Sequence, residues 1–337
     1  MTIKDVAEKA GVSISTVSRV VSAKEGKCAS AEVRARIWQA VNELGYVPNK
    51  TAKDLKNSNK EVTEKGRIYI YLARSKNDRI NSYFEDLCDR VKEECIAQGM
   101  KVGAVIKVDE LSNFIKTKVS VSKLDGLIIL GKSDFAPREL LNMFSKRVVY
   151  IALNKVHLDY DQVMCDGREA TEIAMQHLFD NGHKRIAYVG ELTDEIRFVT
   201  YKEFLIRKNI EMPREYAIET TMTEKGGLIA AARLLEIQKR PSAIFCANDV
   251  TAIGVIKGLT LSGVKIPKDI SVISIDNIKA IEKDAPILTT VEIPLKELGS
   301  IAVKVLCDRI NGGHKVRIKV TLPVTLIKRA SVKHSLT

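Results

Sequence analysis

Long apolar runs are absent from this chain of 337 residues. Nothing in it approaches the roughly 20 consecutive apolar residues of a membrane span. The longest runs, 127–130 and 148–153, have the length of buried strands. The N-terminus, Met1-Thr2-Ile3-Lys4-Asp5-Val6, carries an acid early and has no apolar segment, so it does not read as a signal peptide. A cytoplasmic protein with no membrane partner is expected. Patterned cysteine is missing too. Cys28, Cys88, Cys95, Cys165, Cys246 and Cys307 are scattered without a C-x-x-C pair, which argues against a disulfide framework or a zinc site. They read as reduced thiols, mostly core filler, with Cys88 and Cys95 seven apart on one helix face. Aromatic residues are only 5% of the chain, which leaves Tyr83, Phe84 and Phe198 as guesses for a ring that stacks on a ligand.

Catalytic signatures are also lacking. There is no G-x-S-x-G and no H-E-x-x-H, and His157, His177, His183, His314 and His334 are dispersed. His177 and His183 flank the end of one helix and read as surface or capping residues. The segment 126–133, Gly-Leu-Ile-Ile-Leu-Gly-Lys-Ser, matches the P-loop letter for letter. A P-loop needs its middle residues in a loop whose amides cradle phosphate, and here they are the strand itself. No enzyme, cofactor or metal is expected.

What the chain does have is 45% hydrophobic and 28% charged residues, the balance of a globular protein of two or three domains. Its net charge of +12 is uneven. Residues 1–60 carry +5, residues 301–337 carry +7, and the long middle is neutral. A basic N-terminal module fits a polyanion such as DNA. The basic C-terminal segment reads as a solvated surface, or as a further attraction to DNA.

Thr2 and Asp5 make a helix start, Val6, Ala7 and Ala10 give it an apolar stripe, and Gly11 stops it. Ser13 then caps a second helix over 14–21, with Val17, Val20 and Val21 facing inward. Helix, short glycine-containing turn and helix is the helix-turn-helix arrangement. The second helix presents Ile14, Ser15, Thr16, Ser18 and Arg19 outward. Hydroxyls reach phosphates or base edges, and an arginine grips guanine O6 and N7. Spacing alone leaves an ordinary helical hairpin open. A third helix over 32–44 is capped by Ser30, with Val33, Ile37, Trp38, Val41 and Leu44 as its stripe and Gly45 after it. Pro48 blocks continuation, Asn49 caps a short helix over 50–56, and 57–66 is a polar linker.

From Arg67 short apolar strands alternate with helices. Strands are expected at 68–72, 101–106, 126–130, 148–153, 186–189, 243–246 and 270–275. Helices are expected at 83–98, 170–180, 226–238 and 250–262. This pattern predicts parallel sheets with helices on both faces, and ligands then sit beyond the carboxyl ends of the strands. Asn154, Asn248, Asp249, Asp276 and Asn277 follow strands. Such residues serve equally as helix caps or as donors and acceptors for a polyhydroxylated ligand.

The N-terminal segments Asp5-Val6-Ala7, Ala10-Gly11-Val12-Ser13, Thr16-Val17-Ser18-Arg19-Val20 and Leu44-Gly45-Tyr46-Val47-Pro48-Asn49 resemble the lactose repressor / galactose repressor family of bacterial transcription regulators. The likeness continues through Asn181-Gly182-His183-Lys184-Arg185-Ile186-Ala187, Ala247-Asn248-Asp249, Ser274-Ile275-Asp276-Asn277, Leu288-Thr289-Thr290-Val291 and Leu322-Pro323-Val324-Thr325-Leu326.

The resemblance implies a helix-turn-helix headpiece at 1–48 and a hinge helix and linker at 49–66. It implies a periplasmic-binding-protein-like α/β effector and dimerisation domain at 67–332, with two doubly wound parallel sheets. The N-subdomain is about 67–163 and 292–322, the C-subdomain about 164–291 and 323–332. The implied DNA contacts are Thr2, Ser13, Ile14, Ser15, Thr16, Ser18, Arg19, Asn49, Lys50, Ala52, Lys53, Leu55 and Lys56, with Leu55 wedged into the minor groove. The implied effector contacts are Asn154, Arg197, Asn248 and Asp276. Three departures stand out. Asn154 takes a place often held by Asp, the 190–197 segment is about three residues short, and Thr200 replaces a usual Gly. In the turn before the third helix, 23–29 is about two residues long of the usual.

The expectation is therefore a homodimeric, operator-binding transcription regulator, most often a repressor in this family. Its partners are palindromic double-stranded DNA and a small effector, a sugar or sugar derivative. A purine, a nucleoside or a protein is the alternative effector. A sugar-binding protein without a DNA role would have no use for the N-terminal module.

Overall fold

The chain divides into two compact units, Met1–Glu64 and Lys65–Thr337. The computed structural model describes residues 2–22, 29–44, 66–73, 82–117, 120–131, 137–153 and 159–334. The expected hinge helix, and the longer turn before the third helix, lie almost wholly outside them.

Three helices make up the described part of the first unit: α1 (Ile3–Ala10), α2 (Ile14–Ser22) and α3 (Ala31–Leu44). Local chemistry sets their ends. The Thr2 hydroxyl accepts from the Asp5 amide, and the Asp5 carboxylate accepts from the Thr2 amide at 2.7 Å. Gly11 closes α1 at φ 64°, a left-handed conformation that costs a glycine nothing. Ser13 Oγ accepts from the Thr16 amide at 3.2 Å, and Ser30 Oγ from the Val33 amide at 3.3 Å. The helices enclose a small core of Val6, Ala7, Ala10, Val17, Val20, Ile37, Ala40 and Val41. Trp38 corrects the expected stripe, for it is 46% exposed. It stands one residue, about 100° of helix turn, past Ile37, which takes the inward position.

The second unit is α/β with two six-stranded sheets. The strands of the first are β1 (Arg67–Ala73), β2 (Lys101–Lys107), β3 (Gly126–Gly131), β4 (Val148–Ala152), β5 (Asp161–Cys165) and β11 (Lys319–Leu322). Their order is β11-β5-β4-β3-β1-β2, all parallel. Helices α4 (Ser82–Ala97), α5 (Leu111–Lys116), α6 (Arg138–Phe144) and α12 (Leu295–Ile310) belong to it. The second sheet holds β6 (Ile186–Gly190), β7 (Ala217–Glu219), β8 (Ala243–Cys246), β9 (Ser271–Asp276), β10 (Thr289–Glu292) and β12 (Thr325–Ile327). Its order is β12-β10-β9-β8-β6-β7, with β12 alone antiparallel. Its helices are α7 (Gly167–Asp180), α8 (Ile196–Arg207), α9 (Glu224–Glu236), α10 (Asp249–Leu261) and the short α11 (Ala280–Asp284).

The chain leaves the first sheet after Cys165, returns after Glu292 and crosses again after Leu322. The central strands are buried on both faces. In β1, Ile68, Ile70 and Leu72 join the large core, while Tyr69, Tyr71 and Ala73 join a second one with Leu140 and Phe144. That is why these strands read as continuous apolar runs rather than alternating ones. The P-loop-like letters fall on β3, whose Gly126–Gly131 residues are strand as expected. Helices α9 and α10 touch backbone to backbone: a Cβ on Gly227 would lie 2.1 Å from the Thr251 carbonyl, and one on Gly254 2.0 Å from that of Glu224. Among the described residues no helix is long and apolar enough to cross a membrane.

His183 is a second correction. It is fully buried, with Nδ1 3.0 Å from Ser242 Oγ and Nε2 3.1 Å from the Lys333 carbonyl. It ties the last described residues to the second sheet instead of sitting at the surface.

Candidate functional site

Two places gather the residues singled out by the sequence. The first is the outer face of α2. Ser13, Ile14, Ser15, Ser18 and Arg19 are exposed and Thr16 is half-buried, while Val17 and Val20 are in the core. Ile14 is 46% exposed and lies outside the small core of this unit. Arg19 Nε donates to the Ser15 carbonyl at 3.3 Å, and Ser13 Oγ lies 2.8 Å from both Ser15 Oγ and Thr16 Oγ1. Thr2 is exposed at the start of α1. Asn49, Lys50, Ala52, Lys53, Leu55 and Lys56 lie outside the described residues.

The second place is the carboxyl end of the second sheet. Strand order reverses between β6 and β8, and a crevice opens at such a point. Three of the four expected effector residues meet around it, while Asn154 lies outside the described residues. Arg197, on the first turn of α8, is buried. Its Nε and Nη2 donate to Glu195 at 2.7 and 3.0 Å, and its Nη1 donates to the Ala247 carbonyl at 2.8 Å. Burial presses the guanidinium pKa down. The Glu195 carboxylate, with smaller help from Tyr188 and Asp276, more than offsets this and raises it.

Asn248 serves as a helix cap. Its Oδ1 accepts from the Thr251 amide at 3.0 Å and so caps α10. Its amide nitrogen has no hydrogen bond among the described residues. Asp276 ends β9 at φ 126°, outside the usual range for an aspartate, and Asn277 follows it at φ 56°, a left-handed conformation that asparagine tolerates. The strain at Asp276 costs on the order of 1–3 kcal/mol and persists where surrounding contacts impose it. Here Asn277 Nδ2 donates to Glu292 at 2.8 Å, and its Oδ1 accepts from Arg329 Nη2 at 2.9 Å.

Asp249 turns the other way. Its carboxylate is fully buried and accepts from Thr290 Oγ1 at 2.7 Å, the Ile278 amide at 2.9 Å and Ser274 Oγ. It joins α10 to β9 and β10 and is structural. Burial pushes it up to about 6 against those hydrogen bonds. The native state therefore holds this proton at a pH where the unfolded chain has lost it. Stability should fall by roughly 3 kcal/mol between about pH 4 and pH 6 from this group. Urea unfolding should show that slope reduced in Asp249→Asn; identical pH dependence in both proteins would contradict the assignment.

Of the rings offered for stacking, Phe198 is spent on Tyr188 at 5.1 Å and Tyr201 at 6.1 Å, with Lys202 over it. Tyr83 and Phe84 are buried against each other at 5.0 Å. Thr200 is buried and bonds the Ile196 carbonyl within its helix. Glu195 was missed by sequence reasoning. Its place two residues before Arg197 was a signal, but only burial makes an acid so placed a partner.

The family model described as bacterial regulatory proteins, lacI family, matches residues 2–49, and that of a periplasmic binding protein-like domain matches 175–332. The HTH-type transcriptional repressor PurR of Mannheimia succiniciproducens is 31% identical over 343 residues, covering 98% of each chain. The chain belongs to the lacI family. It is a DNA-binding transcriptional repressor with an effector-binding domain. The HTH-type transcriptional repressor MelR of Bacillus subtilis is 29% identical, covering 98% of this LacI-family chain and 96% of its own. Among solved structures, the lac repressor dimer bound to operator and the anti-inducer ONPF is 25% identical at a TM-score of 0.66, covering 98% of both chains. A LacI-family regulator of Enterococcus faecium with bound ribose is 27% identical at a TM-score of 0.68, covering 80% of this chain and 99% of its own. The curated relatives are repressors, not enzymes.

Proposed function

We propose that this repressor reads a palindromic operator as a homodimer and is controlled by a small, uncharged, polyhydroxylated metabolite, a sugar or sugar derivative. The observation that carries the effector reading is the charge of the cluster. Arg197 is already neutralised by Glu195, and Asp276 adds a further carboxylate. Such a site repels a phosphate or carboxylate ligand and offers acceptors to hydroxyls, with the Asn248 amide as a donor. A purine or nucleoside is the second reading, favoured by the PurR relatives.

Residues 1–48 serve as the DNA-binding domain, 49–66 as hinge helix and linker, and 67–332 as the effector and dimerisation domain. Ile14, Ser15 and Arg19 face base edges, and the effector binds Asn154, Arg197, Asn248 and Asp276. Exposed Leu228, Ile229 and Leu261 on α9 and α10 support an apolar dimer face. Effector binding at Asp276 is transmitted through Asn277 to Glu292, where the chain returns to the first sheet, and to Arg329 just beyond β12.

The test is a thermal-shift screen with neutral sugars, purines, nucleosides and sugar phosphates at millimolar concentration. A ligand at 100 times its Kd adds about 2.7 kcal/mol. Stabilisation by a neutral sugar supports the first reading, and by a purine or nucleoside alone the second. Stabilisation by phosphorylated sugars alone overturns both. On the DNA side, Arg19→Ala should cost about 1–3 kcal/mol and relax the choice at one base pair of a selected operator. Equal losses on every duplex would make Arg19 a phosphate contact instead.

A further inference from the structure

The amino ends of the first sheet carry a row of lysines that no part of the effector site uses. Lys101 begins β2, Lys123 lies in the turn before β3, Lys146 precedes β4, Lys315 precedes β11, and Lys319 begins it. All five are exposed, and none has an ion pair among the described residues. Backbone hydrogen bonds place these starts along one edge: Lys101 to Gly66, Leu127 to Arg147, and Gln162 to Ile318, at 2.9–3.0 Å. The acids at these starts are engaged. Asp125 is buried against Arg67 at 2.9 Å, Asp159 pairs with Arg317 at 3.0 Å, and Asp161 is buried against Arg309.

The loop that shows Lys315 is built rather than merely solvated. His314 is held between Asp308 at 2.6 Å and Asp161 at 3.0 Å. Arg309 Nη2 donates to the Val316 carbonyl at 2.9 Å, and the Ile318 amide to Asp161 at 2.8 Å. A buried ionic cluster thus fixes the path of a surface turn whose tip, Lys315-Val316-Arg317, is exposed. The chain enters this unit at the same edge, through Gly66, from the DNA-binding unit. At about 4.8 Å between strands, six strands make an edge roughly 24 Å wide. Successive charges on one DNA strand rise about 3.4 Å each, so such an edge spans several phosphates.

We infer that this edge is a second, sequence-independent DNA-contacting surface, which grips the phosphate backbone of the operator duplex. The inference rests on the operator-binding reading above. It accounts for part of the positive charge near the C-terminus, since Lys315, Arg317 and Lys319 lie there.

The experiment uses the full chain and an operator obtained by selection from random duplexes. One variant replaces Lys101, Lys123, Lys146, Lys315 and Lys319 by Ser. A control of equal charge replaces Lys184, Lys239, Arg240, Lys265 and Lys268, exposed residues before strands of the second sheet. Each lost phosphate contact should flatten the plot of log K against log salt by about 0.9. The first variant should lose a slope of about two to four and bind the operator at least about tenfold more weakly at 0.1 M salt. The control should keep the wild-type slope. Equal losses in both variants would show bulk charge alone, and no loss in the first would leave the edge without a role; either overturns the inference. A wild-type chain that selects no duplex overturns the operator reading itself.

Discussion

Glu195→Gln is expected to make the repressor blind to its effector while leaving operator binding intact. Arg197 is buried, and two of its three guanidinium nitrogens donate to the Glu195 carboxylate. Gln keeps the size but supplies one acceptor and turns an amide donor toward another donor. Removing one partner of a buried, hydrogen-bonded charge pair costs about 2–5 kcal/mol, much of it from the charge left unmatched. A cluster with a free guanidinium would also change its choice of ligand, because it would then attract anions. Calorimetric titration with the ligand returned by the thermal-shift screen should show at least about a thirtyfold loss of affinity, since 1.4 kcal/mol is tenfold. Operator affinity without ligand should stay within about twofold. An unchanged effector Kd would remove Arg197 and Glu195 from the site. A matching loss of operator affinity would mean that the pair holds the fold rather than the ligand.

The parts of this molecule that were legible in the sequence are those whose cause is local. Thr2 with Asp5, Gly11, Ser13 and Ser30 set helix ends through contacts within three or four residues, and each stands where it was expected. Central strands such as β1, β3 and β4 were legible because burial on both faces leaves them largely apolar. The strands β5, β7, β10, β11 and β12 were not assigned, because short and polar segments such as Lys319–Leu322 carry no such signature. Helix α12 went unassigned for another reason: Leu298, Ala302, Val303 and Leu306 make a proper inward stripe, but Pro294 at its start reads equally as a break. Trp38 and His183 show the limit of reading one residue from its type. A tryptophan on an apolar helix was given to the core and lies outside, and a histidine beside a helix end was given to the surface and lies inside. Both outcomes depend on what packs there from elsewhere in the chain. Arg197, Asn248 and Asp276 were named from resemblance. The structure adds how they are held, through Glu195, the α10 cap and the strained backbone of Asp276 at the end of β9.

The largest loss of stability is expected at Asp161, a residue outside both the effector cluster and the outer face of α2. Its carboxylate is fully buried and receives Arg309, the Ile318 amide and His314. These hydrogen bonds, Arg309 foremost, hold it below the usual carboxylate range although burial opposes them. In Asp161→Asn the nearly buried Arg309 side chain, 9% exposed, loses its countercharge. Breaking such a pair from one side costs about 3–5 kcal/mol. Since a folded domain has only about 5–15 kcal/mol to lose, the midpoint of urea unfolding should fall by a large fraction. The double variant Asp161→Asn with Arg309→Met should recover part of the loss, because it leaves no unmatched charge in place. The pH dependence gives an independent reading. A carboxylate with a depressed native pKa stabilises the fold above its unfolded pKa near 4, and that contribution disappears as pH falls through the native value. The wild type should therefore lose stability on acidification more steeply than Asp161→Asn. A single variant within about 1 kcal/mol of wild type would mean that Arg309 finds other partners. The turn carrying Lys315 and Arg317 would then owe its shape to something other than this cluster.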